Sequence, residues 1–387
     1  MFALRLAILA GLTCLLAACR GLAEPGPSAG LQDTQACRPQ RQQPLGLGFP
    51  IAADRLPAIG PLHAAVLFAD FEDAPAERSP AEALAIVSPG AEEFFAELSG
   101  GRLQVQLHPQ LIWLRLSQPQ AHYAAGLTSF EAHLDFLQEA VDLADAAVDF
   151  SQMDLVLVLT NPDATGIPYG PAFTGFADHG IQADGVTIAN GITSGSDLLH
   201  WGHLWLNHEM GHSLGLPDLY AYPGAAAAEA DQFAFTGEFS LMGNIFGQAP
   251  ELTAIERWML GWLEDEQVLC LSNPGQWEIT LTALEQQDAQ TKAIMLPLAD
   301  GQMLVIEARR PLGYDWRLQQ PGALVYLVDT HRDSGYGPLR VLAPEGKLPG
   351  QAALQAGESL QYEGVSVQVL ESGAEFDRLW VSFGLPD

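Results

Sequence analysis

After residue 60, the pattern of apolar and polar positions falls into two parts. The first predicts both helices and strands, and the second predicts strands alone. In the mixed part, short apolar or alternating runs predict strands over 63–71, 102–108, 111–116 and 154–160. Apolar residues at helical spacing predict helices over about 130–148, 197–214 and 251–263. The helix over 197–214 is apolar nearly all round, which is typical of a buried helix.

From about residue 266 the helical spacing stops, and Gly and Pro separate many of the apolar runs. These runs predict strands over 277–283, 292–298, 303–308, 323–329, 365–371 and 378–383. We therefore predict an α+β fold class, with a mixed unit over 61–265 followed by a β-rich, sandwich-like C-terminal domain over 266–387.

The beginning of the chain predicts export and lipid attachment. A short cationic start and an apolar run of signal-peptide length end in LAAC at 16–19, which resembles a bacterial lipobox. We expect 1–18 to be a lipoprotein signal peptide, Cys19 to be lipidated and 19–60 to be a flexible tether. The predicted location is extracytoplasmic on a bacterial membrane. The outer membrane is favoured because Arg20, rather than Asp, follows the lipidated residue, and secretion is the alternative.

The chain is strongly acidic, with 17 Lys and Arg against 47 Asp and Glu and a formal net charge of −30. Such a surface repels phosphate backbones, so nucleic acid is excluded as a partner, and the membrane is contacted through the lipid anchor only. We also consider a structural calcium ion (Ca2+) held by the oxygen-rich cluster Asp70, Glu72 and Asp73. A solvated loop is the alternative.

The run HEMGHSLGLPD at 208–218 carries the strongest chemical signal. His208 and His212 are four residues apart, so on a helix both imidazoles share one face and reach the same metal ion. Glu209 follows the first histidine, where its carboxylate reaches a metal-bound water, and Asp218 is the candidate third ligand. Three protein ligands, an open position and a nearby carboxylate are the components of a catalytic zinc site.

This motif resembles the signature of the immune inhibitor A-type secreted zinc metallopeptidases, a metzincin-like family with the motif HExxHxxGxxD. The run SLMG at 240–243 is similar to the methionine turn of that family, with Met242 beneath the metal. Weaker likenesses follow in the family's order, so the resemblance covers roughly 62–330. It implies a metzincin-like zinc protease catalytic domain over 61–265 that acts on protein or peptide substrates.

The resulting hypothesis is a zinc-dependent endopeptidase. His208, His212 and Asp218 hold Zn2+, which activates a water, and Glu209 is the general base that takes the water's proton before attack on a peptide carbonyl. Met242 forms an apolar floor and is not a ligand. The alternatives are a surface lipoprotein whose inactive metalloprotease-like domain is a binding module, and a zinc hydrolase of non-peptide amides.

Two of the cysteines remain once Cys14 leaves with the signal peptide and Cys19 is lipidated. An even number in an oxidising compartment predicts a disulfide between Cys37 and Cys270. The alternative is that Cys37 caps the zinc as an inhibitory thiolate.

Other residues near the motif also attract attention. His200 and His203 are expected to be structural residues of the motif's helix, with a second metal site as the alternative. Tyr220 is considered as an oxyanion or substrate contact, and His331 as a residue that approaches the cleft from the C-terminal domain.

Overall fold

The computed structural model describes residues 34–225 and 231–384. The predicted signal peptide at 1–18 and the predicted lipidation site, Cys19, lie outside these ranges. Within them, no helix combines the length and the apolar character that a bilayer span requires.

The α-helices of the described residues are short, and all of them end before residue 260. They are α1 (Pro80–Leu84), α2 (Gly90–Leu98), α3 (Gln120–Ala124), α4 (Phe130–Ala144), α5 (Leu198–Trp201), α6 (His203–Ser213) and α7 (Ala254–Met259). The predicted helix over 251–263 is thus confirmed as the shorter α7. The structure is a mixed α/β arrangement with few helices and several sheets.

Strands account for most of the remaining regular structure. They are β1 (Gly60–Asp70), β2 (Leu103–Arg115), β3 (Leu155–Thr160), β4 (Ala172–Thr174), β5 (Ile181–Ala183), β6 (Val186–Ile188), β7 (Asn190–Thr193), β8 (Val268–Cys270), β9 (Gly275–Thr282), β10 (Ala293–Pro297), β11 (Gln302–Arg309), β12 (Gly322–Asp329), β13 (Leu339–Val341), β14 (Ser359–Tyr362), β15 (Val365–Ser372) and β16 (Phe376–Phe383). The predicted strands at 102–108 and 111–116 are one strand, β2. It continues through Pro109 because it lies at the sheet edge and bulges opposite Val66.

The first sheet has the strand order β2-β1-β3-β7-β4 and is parallel except for its edge strand β4, which runs antiparallel to β7. Successive side chains of β3 point to opposite faces, so Leu157 joins the core that contains α2 and α6. Val156 and Val158 join the core that contains α4. Burial on both faces explains the unbroken apolar run of β3.

The C-terminal strands form two sheets that pack face to face. Their strand orders are β13-β12-β11-β10-β8 and β14-β15-β16-β9. Ile294 and Leu304 of the five-stranded sheet share a core with Val367 and Val381 of the four-stranded sheet. Val305 points the other way, into the core that contains α6 and α7. The five-stranded sheet is therefore buried on both faces and connects the sandwich to the mixed unit.

Residues 34–60, predicted to belong to a flexible tether, are packed against the rest of the protein. Leu47, Phe49 and Leu56 are buried in the same core as α6 and α7. Leu56 N donates to Ser213 O over 2.8 Å, at the end of α6. The tether prediction is corrected for this segment, because its few apolar residues are buried by partners far away in sequence, which composition does not reveal.

Cys37 and Cys270 form a disulfide, with their Cα atoms 5.7 Å apart. Cys37 ends the single-turn helix Thr34–Cys37, and Cys270 ends β8. The bond joins positions separated by 233 residues. Since Cys37 is paired in this way, the alternative that it caps the metal as a thiolate is excluded.

A buried ion cluster centred on Arg309 fixes α7 against the five-stranded sheet. The Arg309 guanidinium pairs with Glu285 over 3.1 Å, with Glu307 over 3.0 Å and with Asp315. Glu307 Oε2 also accepts from Ala254 N, the first residue of α7, over 2.7 Å. Pairing of this kind is what makes buried charges tolerable, because an unpaired charge in the core is costly.

Removing the disulfide is expected to lower the free energy of unfolding by about 2–4 kcal/mol, because the cross-link restricts the unfolded chain over a long loop. Urea unfolding of Cys37→Ser, Cys270→Ser and the double variant, compared with the oxidised parent, measures this loss. Both cysteines act through one bond, so the three variants should lose the same amount. A double variant as stable as the parent would contradict the prediction.

Candidate metal centre

Helix α6 carries the two histidines of the motif and is buried along most of its length. The helix predicted over 197–214 is interrupted at Gly202, whose φ of 59° separates α5 from α6. Asn207 Nδ2 donates to Ala91 O over 3.0 Å, at the start of α2. This bond, together with burial of the surrounding apolar side chains, fixes the rotation of α6 about its axis.

His208, His212 and Asp218 meet at the C-terminal half of α6. The Nε2 atoms of His208 and His212 lie 3.1 Å and 3.3 Å from Asp218 Oδ1. Among the described residues, this is the only group of three His, Cys, Asp or Glu side chains whose ligand atoms converge, all within 4.8 Å of one another. The fold thus brings together the three side chains that the sequence singles out.

The other ring nitrogen of each histidine is bonded to a backbone carbonyl. His208 Nδ1 lies 3.0 Å from Leu241 O, and His212 Nδ1 lies 2.9 Å from Leu216 O. Donation from Nδ1 leaves the Nε2 lone pairs directed at Asp218. Tetrahedral bonds of about 2.0–2.1 Å to zinc would separate ligand atoms by about 3.3 Å, which matches the observed spacing. The two-nitrogen, one-oxygen donor set therefore fits a cation of this kind.

A sharp reversal after α6 returns the chain to the histidines. Gly215 has a φ of 100°, a conformation that side chains other than glycine rarely adopt. Leu216 N donates to Gly211 O over 2.9 Å and closes the helix end. The chain then runs back along the helix, which places Asp218 opposite the two imidazoles.

The predicted methionine turn lies beneath this cluster. Met242 is fully buried, and its sulfur packs against Gly211 of α6. Ser240 has a φ of 65°, unusual for a residue with a side chain. Its hydroxyl donates to Glu256 of α7 over 3.0 Å and accepts from Met242 N over 3.2 Å. The turn is therefore held in this conformation by α7.

Glu209 points toward the edge strand of the first sheet. Its Oε2 accepts from Ala172 N over 2.7 Å, and Oε1 has no hydrogen-bond partner within the described ranges. Burial raises the pKa of the Glu209 carboxyl, while the adjacent His208 and His212 oppose that rise. A carboxylate with a raised pKa and one unengaged oxygen is suited to accept a proton.

The charges of Asp218 and His212 affect each other. Burial acts against the charged form of both groups, but the two imidazoles hold the pKa of the Asp218 carboxyl far below its usual range. Asp218 in turn raises the pKa of His212 to about 10, against the opposing effect of burial. Because a proton and a cation compete for the same ligand atoms, metal binding should release protons.

The other residues considered near the motif have separate positions. Tyr220 stacks against His208, with ring centroids 6.3 Å apart. His200 and His203 contact aromatic rings and do not belong to the ligand group. His331 is exposed and pairs with an aspartate two residues before it.

The acidic cluster considered for calcium is engaged in other contacts. Asp70 accepts from Arg115 Nε over 2.6 Å and from Arg115 Nη2 over 2.9 Å. Asp73 accepts from Gln120 N over 3.0 Å. Asp70, Glu72 and Asp73 do not form a converging ligand group.

Two further residues, which were not predicted from the sequence, contact Asp218. Tyr222 OH donates to Asp218 Oδ2, and Ser334 Oγ accepts from Asp218 N over 2.9 Å. Tyr222 follows Asp218 by only four residues, so its contact with Asp218 could have been predicted from the local sequence. Ser334 lies 116 positions further on and has no local signal.

The loop that leads into β4 is held by a half-buried carboxylate. Asp197 accepts from Gly170 N and Gly195 N, both over 3.1 Å. Trp205 of α6 donates from Nε1 to Gly170 O over 3.0 Å. Burial raises the pKa of Asp197 to about 6, although these N–H donors oppose the rise. Asp197 thus supports the segment whose Ala172 N contacts the Glu209 carboxylate.

Comparisons with known proteins give little guidance. No protein-family model and no curated protein matches the chain. Among solved structures it is similar to metalloproteinase-II from Bacteroides fragilis, with 14% sequence identity and a TM-score of 0.31. The match covers 58% of this chain and 59% of that chain, so less than two thirds of the neighbour is spanned. A TM-score this low does not establish a common fold.

The raised pKa of Asp197 predicts a pH-dependent contribution to stability. The folded protein binds the proton more tightly than the unfolded chain does, so the contribution is present below about pH 3.8 and lost as pH rises through about 6. Asp197→Asn lacks this pH-dependent contribution. From pH 4 to pH 7, the unfolding free energy of the parent should therefore fall relative to that of the variant, by at most about 3 kcal/mol.

Denaturant unfolding at several pH values measures this shift, with exchange of the exposed Asp178 for Asn as the matched control. A parent-to-variant difference that stays constant with pH would show that Asp197 does not titrate in this range.

Proposed function

We propose that this chain is a zinc-dependent endopeptidase of the metzincin-like, immune inhibitor A type. The observation that carries the proposal is the convergence of His208, His212 and Asp218, with Glu209 on the same helix. Two imidazoles and one carboxylate form a donor set that zinc takes in hydrolytic enzymes, and three protein ligands leave a position open for water. The intact base and the complete ligand set support an enzyme over an inactive binding module.

Zinc bound at this position would lower the pKa of a water molecule and polarise a substrate carbonyl. Glu209 accepts the proton of that water at Oε1, the oxygen that Ala172 leaves unengaged. The same carboxyl then delivers the proton to the leaving amine. Ala172 N keeps the Glu209 side chain oriented throughout, because its bond to Oε2 does not involve the reacting oxygen.

A peptide substrate is supported by the position of β4. This strand ends the first sheet, so one row of its backbone N–H and C=O groups faces away from β7. Extended peptides bind such edges by adding a strand. Since Ala172 is both the first residue of β4 and the partner of Glu209, a peptide added to this edge passes the catalytic carboxylate. A non-peptide amide lacks the repeating backbone that would use this edge.

The location of the enzyme is a proposal drawn from the sequence alone. A lipidated Cys19 would anchor it outside the cytoplasm, with the outer membrane favoured and secretion as the alternative. The disulfide between Cys37 and Cys270 agrees with an oxidising compartment. Substrates would then be extracytoplasmic proteins or peptides.

Glu209→Gln is expected to reduce kcat/KM on a peptide substrate by at least about 100-fold, because it removes the general base. The zinc content should stay near that of the parent, since Glu209 is not a ligand. His212→Ala should lose the metal itself. Metal analysis and peptide hydrolysis of the purified variants measure both effects.

His200→Ala is the matched control, because His200 lies on the preceding helix and outside the ligand group. It should keep both zinc and activity. Wild-type turnover by Glu209→Gln would refute the assignment of the base.

Removal of the metal tests the reaction class. The purified protein should cleave denatured casein, lose this activity in a zinc chelator and recover it when zinc is added back. A protein that binds zinc but cleaves neither casein nor small peptides would instead support the alternatives, an inactive binding lipoprotein or a hydrolase of other amides.

A further inference from the structure

The two carboxylate oxygens of Asp218 have different partners. Oδ1 faces the Nε2 atoms of both histidines, at 3.1 Å and 3.3 Å. Oδ2 accepts a hydrogen bond from the Tyr222 hydroxyl. The phenol thus fixes the plane of the carboxylate and engages the oxygen that would otherwise compete with Oδ1 for the cation. Partners of this kind determine how well a ligand is oriented.

The backbone around Asp218 is held by the loop between β12 and β13. Ser334 Oγ accepts from Asp218 N over 2.9 Å, and Gly335 N donates to Asp218 O over 3.0 Å. Tyr222 N donates to Gly335 O over 3.0 Å. The Tyr222 hydroxyl also lies 3.3 Å from Ser334 Oγ. The loop therefore contacts both the ligand and the residue that orients it.

Gly335 is required for this close approach. A Cβ atom built at position 335 would lie 2.1 Å from the Tyr222 ring, and the residue has a φ of 74°. Since only glycine leaves room for the ring, Tyr222 packs closely against the loop while its hydroxyl contacts Asp218. Tyr336, the next residue, contacts the Tyr222 ring edge-on at 6.1 Å between centroids.

We infer that Tyr222 and Ser334 are positioning residues of the metal centre, and that the β12–β13 loop of the C-terminal sheet is part of that centre. The inference rests on the proposed function in so far as Asp218 is a metal ligand. Neither residue is a metal ligand here: both act through the orientation of Asp218. The predicted effect is therefore on metal affinity first and on turnover only as a consequence.

The test measures zinc affinity by competition with a chromogenic chelator. Tyr222→Phe should bind zinc about 10- to 100-fold more weakly than the parent, the range expected when a partner of a metal ligand is removed. Tyr336→Phe is the matched control, because it removes a phenol hydroxyl from the same aromatic group without touching Asp218. The control should bind zinc as the parent does.

Unfolding of the metal-free proteins separates positioning from a general loss of structure. Tyr222→Phe should unfold close to the parent in the absence of zinc and gain less stability when zinc is added. Ser334→Ala provides a second variant for the case in which Tyr222→Phe folds poorly. It removes the acceptor for Asp218 N and should also weaken zinc binding.

Equal zinc affinity in the parent, Tyr222→Phe and Ser334→Ala would overturn the inference while leaving the proposed function intact. Failure of the parent to bind zinc at all would overturn the proposed function and the inference with it. Zinc binding without proteolysis in the parent would reject only the proposed function, provided that both variants still bind more weakly.

Discussion

Arg309 is the buried charge through which the sandwich and the candidate metal centre are joined. Its carboxylate partner Glu307 accepts from the first backbone N–H of α7, and Glu256 of α7 accepts from Ser240 in the methionine turn. The residue after Ser240 contributes the carbonyl that orients His208. Removing one member of such a cluster leaves an uncompensated buried charge and costs about 3–5 kcal/mol. The core of the C-terminal sheets and the orientation of a candidate ligand therefore depend on the same ion pairs.

Features encoded over short distances in sequence were predictable. Alternating or unbroken apolar runs located the longer strands, because burial on one or two faces of a sheet produces those patterns directly. The i, i+4 spacing of His208 and His212 placed both rings on one helix face. The position of Asp218 was harder to predict, since its return to the helix depends on the left-handed conformation at Gly215. A glycine at this point indicated such a turn, because few other residues adopt a left-handed conformation.

Features that depend on distant partners were not predictable. Residues 34–60 have a linker-like composition, yet Phe49 is buried by side chains more than two hundred positions away. The interruption at Gly202 was missed because the flanking residues keep an apolar helical pattern. Ser334 belongs to no sequence motif, and it contacts Asp218 only because the folded chain brings the two residues close together. Tertiary contacts of this kind override local propensity and leave no periodic signal.

The separation of 116 positions between Asp218 and Ser334 has a consequence for the order in which this protein assembles. Chains are synthesised from the N-terminus, and long-range contacts form after local ones. A nascent chain therefore contains every candidate ligand long before the hairpin that clamps Asp218 exists. The complete centre appears only when the second half of the polypeptide has folded. Under the proposed function, late assembly would delay peptide hydrolysis until the second half of the chain has folded.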